Sequence, residues 1–155
     1  MEVYSLLKKF HIISATVLFG TGLGTAFCFW MSGRSGDDRA ALFAAKATVT
    51  ADFLFTATAA VAQPLTGALL VHQGGFNPLD HWLVVTYALY AVAGICWVPV
   101  VVLQVRIRDA LQRKVNGGPF DVATIQRMRA LWFILVWPAF LSLLLVFHLM
   151  VTKPS

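Results

Sequence analysis

The sequence predicts an all-α integral membrane protein: four transmembrane helices in an up-and-down bundle, one domain over residues 1–155. Three observations carry this prediction. Hydrophobic residues make up 59% of the chain and charged residues 12%, about half the charged share of a soluble domain. Too little polar surface remains to cover a core in water. Four apolar runs reach the length of about 20 residues that crosses the hydrocarbon of a bilayer. The segments between the runs are short and hold most of the charge, with Gly, Pro and Asn clusters that interrupt helices.

The first run is Phe10 to Met31. It is too long for the apolar core of a cleaved signal peptide, and bulky Phe27 before Cys28 argues against a lipoprotein site, so it is expected in the mature protein. The second run, Ala47 to Val71, is interrupted only by Asp52. The third is Trp82 to Val105 and the fourth Ala130 to Val151. Backbone polar groups cannot stay unpaired in lipid, so each run is a helix. MSGRSGDDRA joins the first two and HQGGFNPLDH the next two. Asn77-Pro78, with Asp80 following, predicts a helix start. The third helix is expected to continue into VRIRDALQRK, with NGGP at 116–119 ending it and Asp121 capping the fourth. Cys28 and Cys96 lie inside apolar runs and read as packed thiols.

Charge gives the direction. The net charge is +5, but the basic residues sit between apolar runs and not along one face, which excludes nucleic acid as the partner and leaves the lipid bilayer. Nine of the twelve Lys and Arg residues (Arg34, Arg39, Lys46, Arg106, Arg108, Arg113, Lys114, Arg127 and Arg129) fall in or beside the first and third connections. Lys8, Lys9 and Lys153 fall on the other side. The positive-inside rule then predicts a bacterial inner-membrane protein with both termini periplasmic.

This topology puts all four histidines on the periplasmic side, one per helix: His11, His72, His81 and His148. Each can simply hydrogen-bond at the interface. Together they can ligate a metal, because neutral imidazole binds iron, copper or zinc and bundle cores hold cofactors between facing helices. A haem b needs an imidazole on iron, an apolar slot and cations near its propionates; Lys8 and Lys9 are close to His11 in sequence. His11 is the expected first ligand and His72 the second, with His148 as substitute; His81 beside Asp80 is the weakest candidate. At about 100° per residue, Gly22 shares the face of His11 and either packs a helix or clears space for a macrocycle. Gly20 and Gly24, with Thr16 and Cys28, form a small-residue ridge on the opposite face, of the kind that lets helices approach.

Asp52 is costly at its depth and marks a function or a buried pair; Arg129 or Lys46 is the expected partner, an ion pair being favoured over a proton relay. Pro64, Pro99 and Pro138 fall inside the last three runs, each freeing a backbone carbonyl. The tryptophans read as packing and interface anchors.

The stretches LLKKFHIISATVLFGTGLGTAFCFW, ADFLFTATAAVAQPLTGALL, LYAVAGICWVPVVVLQVRIRD and LWFILVWPAFLSLLLVFHLMVTKP resemble an uncharacterised bacterial family of predicted integral membrane proteins, DUF2269-like, over nearly the whole chain. That family is similar in outline to copper-resistance D-type membrane proteins and to the membrane-bound protoporphyrinogen oxidase of the HemJ type. The latter resemblance implies about four helices, a haem b, and an early histidine followed by a Gly-Leu pair, which His11 and Gly22-Leu23 match with the pair slightly displaced. The oxidase type has a lysine just inside the helix that starts with tryptophan. Here LVVTYALY follows Trp82, and no Lys or Arg occurs before Arg106.

The expectation is a haem b protein serving electron transfer or quinol or porphyrin oxidation, with a quinone or another membrane redox carrier as partner. Two alternatives stand beside it. One is a haem-free accessory or assembly subunit of a larger membrane complex, or a homo-oligomer. The other is a copper-handling protein using the same histidines with Met150.

Overall fold

The computed structural model describes residues 2–154. The chain forms α1 (Glu2–Ser32), α2 (Asp38–Ala51), a π-helical turn (Asp52–Thr56), α3 (Ala57–Gln73), α4 (His81–Val115) and α5 (Val122–Thr152). α2, the π turn and α3 run on without a break and make one span, so four helices are long and apolar enough to cross a membrane. Both chain ends lie on one side. The connections at 33–37 and 116–121 lie on the other, which is called the basic side below.

Each helix outruns its apolar stretch. α4 has 35 residues, about 50 Å at 1.5 Å per residue, against about 30 Å of hydrocarbon. The excess is VRIRDALQRK, which continues the helix on the basic side as expected. Gly117, at φ +79°, then turns the chain where an L side chain would be strained. Asp121 caps α5, accepting from the amides of Ala123 and Thr124. The Thr124 hydroxyl and amide hold its carboxyl below the usual range. Asp37 caps α2 the same way through Arg39 and Ala40. The helix start expected at Asn77-Pro78 comes later: Asn77 Oδ1 accepts the Leu79 amide and closes a local turn, and α4 begins at His81.

The best-packed region lies toward the basic side. Phe29 of α1, Ala45 of α2, Val100, Leu103, Ile107 and Leu111 of α4 and Trp132 of α5 form one buried cluster. Phe29 is 1% exposed, its ring 4.9 Å from that of Trp132. Lys114 Nζ reaches Asp38 Oδ1 at 2.7 Å and ties the start of α2 to the end of α4. Toward the chain ends, α1 meets α5 through Phe19, whose ring lies edge-on to Phe140 and Phe147.

Pro64 has no amide hydrogen, so the carbonyl of Ala60, four residues earlier, loses its helical donor. Tyr90 on α4 supplies one, its hydroxyl donating to Ala60 O at 2.7 Å. Tyr90→Phe is therefore expected to cost about 1 kcal/mol by orphaning that carbonyl in lipid. Unfolding in mixed micelles measures it; an unchanged midpoint would mean the carbonyl finds another donor.

The glycines divide by face. A Cβ on Gly20 or Gly24 would meet nothing within 4 Å, so the small-residue ridge faces outward and packs no helix of this chain. A Cβ on Gly22 would meet the Phe140 ring at 3.5 Å. Gly22 makes room for a phenyl ring of α5.

Candidate functional site

All four spans surround a cavity of about 420 Å³. Its wall is apolar over most of its area: Leu18 and Gly22 from α1, Ala57, Ala60 and Val61 from α3, Ala93 and Gly94 from α4, Phe140 and Leu143 from α5. Polar groups enter at a few points, the pattern of a ligand site. Asp52, Thr56, Tyr90, Trp97, Gln104 and Trp132 all line it.

The π turn positions the acid. A π turn inserts one residue into the helical ladder, and here the Ala57 amide donates to Asp52 O. The insertion turns Asp52 inward, where it is 3% exposed, and leaves Phe53, Leu54 and Phe55 facing outward. Thr56 Oγ1 donates to Asp52 Oδ1 at 2.9 Å. Gln104 comes alongside the carboxyl from α4 and is as deeply buried.

Three buried side-chain polar atoms have no hydrogen-bond partner among the described residues: Trp97 Nε1, Gln104 Oε1 and Trp132 Nε1. All three belong to residues that line this one cavity. An unpartnered buried polar group costs about 1–3 kcal/mol, so such groups normally find partners. Two indoles, an amide and a carboxyl thus border one apolar cavity.

The residues singled out in the sequence fall elsewhere. His11 sits between α1 and α3. Thr66 Oγ1 lies 2.7 Å from His11 Nδ1 and is within reach of Ala62 O; when the hydroxyl donates to Ala62 O, Nδ1 carries the ring proton. In the neutral ring this leaves the Nε2 lone pair free. Gln63 Nε2 donates to His11 O at 2.8 Å and also to Ser14 Oγ. His72 is exposed and lines a separate shallow groove with Phe76, Pro78 and Tyr87. His81 and His148 are exposed. No histidine lines the central cavity, and among the described residues no three His, Cys, Asp or Glu side chains gather as a metal site. Of the predicted cofactor residues only Gly22 reaches the cavity wall.

The expected Asp52–Arg129 ion pair does not form, nor does a pair of Asp52 with Lys46. Among the described residues the ion pairs are Arg108–Asp109 and Lys114–Asp38. The Arg129 guanidinium lies 5.6 Å over the Phe29 ring, where a face of π density and the basic-side boundary satisfy it. Asp52 is satisfied by a neutral hydroxyl, which frees it for a ligand.

In sequence, Gln104, Thr56 and Tyr90 carry no reading, and Trp97 and Trp132 read as packing and interface anchors. Gln104 was readable, as an amide near the end of the third apolar run. The tryptophans gave no such signal, since an anchor and a cavity donor look alike in sequence.

The family model described as "Predicted integral membrane protein (DUF2269)" matches residues 5–154. The chain belongs to this family. The match takes in all four spans, so the cavity lies wholly inside the DUF2269 region. No curated protein and no solved structure matches the chain.

Proposed function

We propose that this DUF2269 protein is a bacterial inner-membrane protein, with both ends periplasmic, that binds a quinone or quinol ring in its central cavity. The carrying observation is that the three unpartnered polar atoms all belong to residues bordering one apolar space. A quinone ring is flat and apolar with two carbonyl acceptors, and the two indole N–H groups offer two donors. The reduced ring carries two hydroxyl donors, for which Gln104 Oε1 and the Asp52 carboxyl are acceptors. An apolar wall with a few convergent polar groups suits both forms. Such a protein serves quinol-linked electron transfer.

The test is a titration of the detergent-purified chain with a benzoquinone, read by tryptophan fluorescence. Saturable quenching is expected, and it weakens in the double variant Trp97→Phe, Trp132→Phe. Quenching that never saturates, or that is the same in the double variant, contradicts the reading.

A second reading has its own observation. The Thr66 hydroxyl bonds His11 Nδ1, and with the ring proton on Nδ1 this is the arrangement in which an outer hydrogen bond orients a ligating imidazole. This supports His11 as a haem b ligand on the periplasmic side. The fit is partial, since His72 and His148 are exposed and His11 does not line the cavity. Bound there, haem b would supply one-electron chemistry. A Soret band in the purified protein that disappears in His11→Ala supports it, and a colourless sample removes it.

A further inference from the structure

We infer that the cavity opens sideways into the lipid between α3 and α4, and that its ligand is a quinone whose hydrocarbon tail leaves through that opening beside Gly94. This rests on the quinone reading above and specifies its orientation and ligand class.

The cavity has two unlike ends. Asp52, Gln104 and Trp132 line the end toward the basic side, and Thr25 lies with them. Val61, Gly94, Val98 and Leu143 line the part nearer the middle of the spans. A polar ring with an apolar chain therefore fits in one direction, ring toward Asp52 and chain toward Gly94.

The second part of the cavity is not closed. Val61 on α3 and Val98 on α4 both line it, yet they are 62% and 58% exposed. Residues that touch the cavity and the outside together mark its rim. Gly94 lies on the same rim, exposed, and a Cβ there would meet nothing within 4 Å. Its backbone is ordinary helix, so no turn or close approach inside the chain requires glycine. Glycine costs helix stability relative to most residues. Here it keeps the rim open. The rim sits in the spanning part of α4, so what lies outside it is acyl chain and not water. A molecule dissolved in the bilayer reaches the cavity without crossing a headgroup layer, and its tail stays in lipid while the ring is held.

The experiment compares two probes on the detergent-purified full chain: a methoxy-substituted benzoquinone without a tail, and the same ring with a decyl chain. Binding is measured by equilibrium dialysis for the wild type, Gly94→Phe and, from the opposite lip, Val61→Phe. The tail is out of water whether bound or free, so what it gains is packing against Val61 and Val98 at the rim, worth about fivefold in affinity for a handful of atom contacts. The wild type is expected to prefer the tailed ring by at least that factor. In both variants the preference for the tailed ring is expected to disappear. Retained preference in both variants overturns the opening, because the tail then leaves elsewhere. Loss of the tailless ring in both folded variants overturns the orientation, because the ring itself then sits at the rim. If Gly94→Phe fails to fold, Val61→Phe decides. A wild type that binds neither probe refutes the quinone reading itself, and a wild type that binds both equally refutes only the tail.

Discussion

Asp52→Leu is expected to weaken binding of the reduced ring, the quinol, while the protein becomes no less stable. The carboxyl is held by the Thr56 hydroxyl and the adjacent Gln104 amide, and among the described residues by no cation. An ionised side chain in the middle of a span costs about 2.5–3.5 kcal/mol, and each such hydrogen bond returns about 1 kcal/mol. Removing the acid therefore leaves stability unchanged or raises it by up to about 2 kcal/mol. Binding moves the other way. A hydrogen bond to a charged or strongly polar group is worth about 1.5–3 kcal/mol, or roughly a ten- to hundredfold loss of affinity. Asp52→Asn keeps an acceptor for Thr56 and should fall between. Detergent unfolding and titration with the reduced quinol under anaerobic conditions, on the same samples, give both numbers. A fall in stability of more than about 2 kcal/mol with binding intact would show that Asp52 is structural, as in an ion pair.

Phe29→Ala is the change expected to harm folding most. Its ring is 1% exposed, wedged against Trp132 and covered by Arg129. Removing it leaves a hole that α1, α4 and α5 cannot close without moving the backbone. Losses for such truncations are about 3–5 kcal/mol. In lipid the missing term is contact between packed atoms and not exclusion of water, so the lower end of that range applies. Trp132 then loses its support, and quinone binding weakens with it. Phe43, 75% exposed, is the control: Phe43→Ala should shift stability by less than about 0.5 kcal/mol. Equal losses in the two variants would mean that the buried cluster is not where this bundle is held together.

The spans, the extension of α4, the stop at NGG and the cap at Asp121 were all legible in the sequence. Each is set by a local cause: an apolar run long enough for lipid, a charged stretch that keeps helical propensity, a glycine, a carboxylate ahead of free amides. What lies on which face was much less legible. In water, polar residues mark the outside of a helix with a 3.6-residue period. In lipid the outside is as apolar as the inside, so Val61, Leu65 and Ile95 can face acyl chains while Leu83 and Ile107 are buried. That is why Gly20 and Gly24 could be read as packing inside the bundle and turn out to face outward, and why Gly22 could suggest a macrocycle and instead seats Phe140. The π turn was hidden for another reason. DFLFT contains nothing that distinguishes it from an ordinary helical turn, and its insertion is what aims Asp52 inward. The pairing of Asp52 with Arg129 followed from depth alone; face, which decides contact, was missing.

The most direct test of the central cavity as a quinone site is photolabelling in native membranes with a diazirine-bearing benzoquinone, followed by peptide mass spectrometry. Labelling is predicted within residues 90–104 and 132–143, competed by excess unlabelled quinone and lost in the double variant Trp97→Phe, Trp132→Phe. Label spread over outward-facing residues such as Ile13, Phe53 and Leu54, unchanged by competitor and by the variant, would contradict the account.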